Sequence, residues 1–118
     1  MFFLALLLTG GQVFISFCSE LPKDVLFAKA DSLFDAGDHA AANTILENFI
    51  AKNLSQAKID YPSIAQAYNR KGLLMRLAGS NHKANEQIYE SLKYAQLAND
   101  SMEIANAYRE MGYNYIIL

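Results

Sequence analysis

The sequence predicts an all-α chain of antiparallel helix hairpins, each stacked on the next. Three observations carry this. From Leu21 onward no stretch sustains the apolar–polar alternation of a half-buried strand, and apolar residues recur instead at three- and four-residue spacing. Ala, Leu, Lys, Glu and Gln, all good helix formers, dominate that region. The helix breakers gather at a few sites, each reading as a stop followed by a cap. With 118 residues and 53% apolar side chains, the chain can fill one domain.

The first element is set apart from the rest. Residues 1–19 contain no charged side chain, and Phe2 to Leu8 is an unbroken apolar run. The stretch is short of the roughly twenty apolar residues a membrane span needs. Its length suits a removable secretory signal, and Ser16 and Cys18 are small residues two apart, as cleavage after Cys18 requires. No Lys or Arg precedes the apolar run. Cys18 also admits a lipoprotein reading, although Phe17 stands where a lipobox has a small residue. A retained anchor or packed helix is the third reading. Residues 20–118 are then the folded domain, and the expected location is outside the cytoplasm, in the periplasm or cell envelope.

Five helices follow in order. The first is expected from Pro22 to Ala36, because Pro is tolerated where a helix begins. Gly37-Asp38 ends it and caps the second, from His39 to Asn53. The more polar stretch from Leu54 to Tyr61 leads to Pro62, where the third helix starts and runs to Ala78. Ile64, Tyr68, Leu74 and Met75 form its apolar stripe. Gly79-Ser80-Asn81 introduces the fourth, to Ala98, with a stripe at Ile88, Leu92 and Ala95. Asn99-Asp100-Ser101 introduces the fifth, which reaches the last residue. The two glycine-containing connections are short, so the helices they join must run antiparallel.

Composition excludes several kinds of chemistry. Ten Lys/Arg against twelve Asp/Glu leave a net charge of −2, with signs mixed along the chain. That offers no basic face for nucleic acid. One cysteine forms no intrachain disulfide and no cysteine zinc site. His39 and His82 fall in separate turns and read as solvated residues, so no metal is expected. Asp31, Asp35 and Asp38 read as helix-end solvation and capping. No nucleophile–base motif or phosphate loop is present, so neither catalytic residues nor a cofactor are expected.

Two segments repeat each other. Ile64-Ala65-Gln66-Ala67-Tyr68-Asn69-Arg70-Lys71-Gly72 and Ile104-Ala105-Asn106-Ala107-Tyr108-Arg109-Glu110-Met111-Gly112 share Ile-Ala-x-Ala-Tyr-x-x-x-Gly, with Gly72 and Gly112 standing 40 residues apart. A weaker copy has Leu26 and Ala30 in the places of the tyrosine and glycine. In the middle copy the pattern continues through Met75, Gly79, Ala84 and Ile88, and in the first through Leu33, Gly37, Ala42 and Leu46. A glycine inside a helix costs about 1 kcal/mol relative to alanine, which argues for a close helix crossing at Gly72 and Gly112.

This pattern resembles tetratricopeptide repeats. The period is longer than the standard 34 residues. It is similar to extended-helix variants with a Leu-Ala…Asp junction, read here at Gln96-Leu97-Ala98-Asn99-Asp100, where the Asp follows the Ala after one residue. The resemblance covers residues 22–118 and implies a right-handed superhelix of about two and a half repeats. It implies packing roles for Leu26, Ala30, Tyr68, Gly72, Ala84, Tyr108 and Gly112, leaving Tyr61, Tyr94 and Tyr113 freer to contact a ligand. It also implies a concave groove on the first helices of the repeats. Asn69, Leu73, Arg76 and Leu77 would line it in the middle repeat. Arg109, Tyr113, Ile116 and Ile117 would do so in the last, and Phe27, Asp31, Phe34 and Asp35 in the first. The Lys/Asn set of a carboxylate clamp is not matched.

The fifth helix would lack its hairpin partner, leaving Tyr108, Met111, Tyr115 and Leu118 uncovered on one side. A repeat array usually ends in a polar capping helix, and an exposed apolar face of this kind implies a homodimer or further repeats. The expected function is a non-catalytic scaffold for protein or peptide, as the leading part of a longer exported repeat protein. The alternatives are the sensing region of a membrane-bound sensor kinase or transcription regulator, and a lipid-anchored accessory subunit of an enzyme complex. Contact with a membrane would come only through the N-terminal segment.

Overall fold

A computed structural model describes residues 21–117. Both the segment 1–19, with its expected signal or anchor, and Leu118, expected at the open end, lie outside the described residues. Five helices make up the described chain: α1 (Lys23–Asp35), α2 (His39–Leu54), α3 (Tyr61–Leu77), α4 (Asn81–Ala98) and α5 (Ser101–Ile117). No strand occurs among the described residues. None of these helices is long and apolar enough to cross a membrane.

The turns explain why the helices stop where they do. After α1, the Asp38 N–H donates to the Leu33 carbonyl at 2.9 Å and the Gly37 N–H to Phe34 at 2.9 Å. After α3, the Ser80 N–H reaches Met75 and the Gly79 N–H reaches Arg76, both at 2.9 Å. After α4, the Asp100 N–H reaches Ala95 at 3.1 Å and the Asn99 N–H reaches Gln96 at 3.0 Å. All three carry the six-residue back-bond of the Schellman motif, whose C′ residue must be left-handed. That residue is Gly37 at φ 91°, Gly79 at φ 87° and Asn99 at φ 52°. Side-chain caps then start the next helices. Asp38 accepts from the Ala41 N–H at 3.1 Å, Asp60 from Ser63 at 3.3 Å and Asp100 from Glu103 at 3.1 Å.

Each helix packs on its successor, and α3 also contacts α1 and α5. The odd-numbered helices therefore lie side by side in one layer, with no comparable contact between α2 and α4 among the described residues. The tightest crossing joins α3 to α4, and small side chains explain it. Ala65 and Gly72 on α3, and Ala84, Ser91 and Ala95 on α4, are all buried. The Ser91 hydroxyl donates to the Ala65 carbonyl at 2.7 Å, which satisfies a hydroxyl that the crossing has cut off from water. A β-carbon placed on Gly72 would stand 2.5 Å from Ile88 Cδ1, 2.8 Å from its Cγ1 and 3.2 Å from the Ala84 carbonyl oxygen.

Phe27, Ala30, Ala42, Leu46, Ile50, Ile64, Ala67 and Leu74 form one core cluster. Ile88, Ala107 and Met111 form a second one under α5. The packing roles expected for Leu26, Ala30, Gly72 and Ala84 match this burial, and Tyr68 packs half-buried against the first cluster. Two expectations need correction. Tyr108 is 55% exposed, and a β-carbon on Gly112 would meet nothing within 4 Å, so neither packs. The reason is position: α3 is covered on that face by α4, whereas no described helix covers the same face of α5. The other correction is Met111, which was expected at the open end. It is 8% exposed and sits against Ile88 and Ala107, because α5 turns this side toward α4. Tyr115 does face outward, at 59% exposure.

Candidate ligand groove on the odd-numbered helices

Where α1, α3 and α5 meet, a cavity of about 320 Å³ opens between them. Helical spacing decides what lines it. Asp24 and Phe27 come from α1, Gln66, Asn69, Arg70 and Leu73 from α3, and Glu103, Asn106, Arg109 and Glu110 from α5. Along each helix these residues recur at three- and four-residue spacing, as in Gln66, Asn69, Arg70 and Leu73, so they share a face. The repeat aligns the two stripes, with Gln66, Asn69 and Arg70 taking the places of Asn106, Arg109 and Glu110.

Polar side chains tie the odd-numbered helices together. Lys23 Nζ donates to Ser63 Oγ at 3.4 Å, Arg70 Nη1 to Asp31 Oδ2 at 3.1 Å and Gln66 Nε2 to Glu103 Oε1 at 2.9 Å. Arg76 Nη1 donates to Glu110 Oε2 at 2.8 Å, and Arg109 Nη2 stands 3.5 Å from Glu110 Oε1. The Arg70–Asp31 pair is more than one-third exposed on both sides and adds little stability. The Arg76–Glu110 pair is different, because its side chains are only 12% and 8% exposed. Removing Glu110 would leave the Arg76 guanidinium cut off from water, and removing Arg76 would leave Glu110 with Arg109 alone.

Two groups in the cavity wall stand out. The Asn69 Nδ2 is a buried donor with no partner. Glu103 is 7% exposed and takes part in no ion pair among the described residues, with the Gln66 amide as its side-chain hydrogen-bond donor. Buried carboxylates are rarely left without a cation.

Among the residues expected to line the groove, Phe27, Asn69, Leu73 and Arg109 do so. Arg76 does not. It is held beside the groove by Glu110 and lies over the Tyr113 ring, 5.2 Å from the centroid. Tyr113 is thereby engaged with Arg76, at 47% exposure. Asp31 pairs with Arg70 outside the lining, while Phe34 stacks on His39 at 4.0 Å. Leu77 and Ile116 are exposed at 64% and 81%. Tyr61 and Tyr94, expected to be free, stack in one column with Tyr68, at 6.2 and 5.6 Å between centroids.

Asp24, Gln66, Arg70, Glu103, Asn106 and Glu110 escaped the sequence reading. For all of these but Glu103 the signal was present: extending the stripe of Asn69 and Leu73 by one turn reaches Gln66 and Arg70, and the repeat carries that stripe onto Asp24 in α1 and onto Asn106 and Glu110 in α5. On the rear face, Lys71 is buried, paired with Glu47 at 3.3 Å and 5.6 Å from the Tyr68 ring centroid. Burial, reinforced by the neighbouring Tyr94, Glu90 and Glu47, raises the Tyr68 phenol above its ordinary value of 10.0. Comparison with protein-family models, with curated proteins and with solved structures gives no match.

Proposed function

We propose that this chain is a non-catalytic binding scaffold of the tetratricopeptide type, which holds an extended segment of protein or peptide in the groove of α1, α3 and α5. The observation that carries this is the cavity between α1, α3 and α5, whose lining includes Asn69, a side chain with an unpartnered amide donor. A buried amide donor without an acceptor is costly unless a ligand supplies one. An extended peptide offers a carbonyl at every residue. In the lining, Arg70 and Arg109 are both held by carboxylates, which leaves the polar faces of Gln66, Asn69 and Asn106 to meet a ligand.

In this reading α1–α2 and α3–α4 are two repeats, and α5 opens a third in a right-handed superhelix. Supporting it, the pairs Ala30 and Gly72, Ala42 and Ala84, and Leu46 and Ile88 are each buried at corresponding positions. The glycine turns at Gly37 and Gly79 share one bonding pattern. The apolar segment 1–19 supports export to the periplasm or cell envelope. Mass spectrometry of the mature amino terminus distinguishes a cleaved signal from lipidation at Cys18.

The groove is tested by selecting random dodecapeptides on the immobilised chain. Sequences enriched over bare matrix are expected, and Asn69→Leu, which keeps the volume and removes the donor, should abolish their retention without changing helicity. Equal retention by the variant, or no enrichment with the unmodified chain, would sink the reading.

A further inference from the structure

We propose that the groove selects a basic side chain, a lysine or arginine of the bound peptide, and that Glu103 is the group that recognises it. This rests on the peptide-groove reading above and adds the chemical class of the ligand.

The argument is one of charge. Asp24, Glu103 and Glu110 bring three carboxylates to the cavity wall, against the guanidiniums of Arg70 and Arg109. Both guanidiniums are occupied, Arg70 by Asp31 at 3.1 Å and Arg109 by Glu110 at 3.5 Å. Glu110 also holds Arg76. Glu103 is thus the carboxylate of the wall that is both 7% exposed and without a cation among the described residues. The single amide bond from Gln66 orients it but cannot neutralise it. Asp24, exposed at the α1 side of the cavity, adds to the negative field. A cation entering here meets a largely buried carboxylate already oriented by Gln66, and a charge-assisted hydrogen bond strengthens as water is excluded.

Other cations fit less well. Among the described residues no three ligating side chains converge to hold a metal ion. The unpartnered Asn69 donor, in the same wall, calls for a ligand that brings a carbonyl oxygen as well as a positive charge. A lysine or arginine residue within a peptide carries both.

The dodecapeptide selection tests this directly. Aligned binders should show one position enriched in Lys or Arg, and replacing that residue by alanine in a synthetic binder should weaken binding about tenfold. With Glu103→Gln, which retains the shape and can still meet the Gln66 amide, the enrichment should vanish while peptides are still retained. Should that variant fail to fold, the unmodified chain decides by NMR. The Gln66 side-chain amide signal, bonded to Glu103, should move on adding the basic peptide and stay in place on adding its alanine twin at a concentration that saturates the groove, while the Asn69 amide signal moves with both. Binders with no basic position, enrichment that survives Glu103→Gln, or a Gln66 signal that responds alike to both peptides overturn this inference alone. Failure to select any peptide overturns the groove reading, and this inference with it.

Discussion

Gly72 and Gly112 occupy the same place in one sequence motif, yet the structure assigns them opposite roles. At Gly72 a methyl group would press on Ile88, which is fully buried, and on the Ala84 carbonyl. Overpacking costs about 1–3 kcal/mol, against about 1 kcal/mol gained by removing glycine from a helix. Gly72→Ala should therefore lower stability by about 1 kcal/mol in urea titrations, and Ile88→Val, which removes the nearest methyl, should reduce that loss in the double variant. Gly112 has open space, so Gly112→Ala should raise stability by about 1 kcal/mol. Equal signs for the two would contradict the packing described. Tyr68 offers a second residue-scale test. Its phenol is raised by burial, so the folded state prefers the neutral form. That contribution is complete below pH 10.0 and is lost as pH rises through the elevated value. The melting temperature should fall as pH rises above 10.0 toward the elevated value, and Tyr68→Phe should make the fall shallower.

At the scale of the element, the helices begin with unequal caps. Asp60 accepts the Ser63 N–H at 3.3 Å and the Ser63 hydroxyl at 2.6 Å. Ser80, at the same position before α4, makes no side-chain cap bond. Asp60→Ala should cost about 1 kcal/mol and Ser80→Ala close to nothing, read as a shift in denaturation midpoint. Sequence signals alone would rank the two residues alike, because both are favourable N-caps. Helix boundaries were legible to within one or two residues: Gly37, Gly79 and Asn99 must take left-handed backbone, and Pro62 sits in the first turn of α3. Such signals are local, so no tertiary contact was needed to read them.

At the scale of the molecule, polar ties connect the odd-numbered helices, and the strongest is Arg76–Glu110 between α3 and α5. Arg76→Ala should destabilise the fold by about 2 kcal/mol in thermal or chemical unfolding, because it leaves the buried Glu110 carboxylate with only the longer, exposed Arg109 contact. Arg109 is 57% exposed, and Arg109→Ala should change stability by less than about 0.5 kcal/mol. If the two variants proved equally stable, Arg76 would not be the structural member of the pair. Four of the groove residues, Phe27, Asn69, Leu73 and Arg109, were legible because repeat register carries position from one helix to the next. Glu103 was not. Nothing in its local sequence separates it from an ordinary first-turn carboxylate favouring the helix N-terminus.

Sequence alone determined the helical class, the turn sites, the hairpin pairing and the 40-residue likeness of α3 and α5, since these depend on periodicity, backbone freedom and capping within a few residues. Tertiary structure decided which copy of a repeated residue is covered. Tyr68 is packed and Tyr108 is exposed, Gly72 is crowded and Gly112 is free, and Met111 faces inward. It also decided which charges are paired, leaving Glu103 without a cation. Burial and charge pairing depend on which helix lies opposite, and a motif read along one chain segment carries no record of its neighbour.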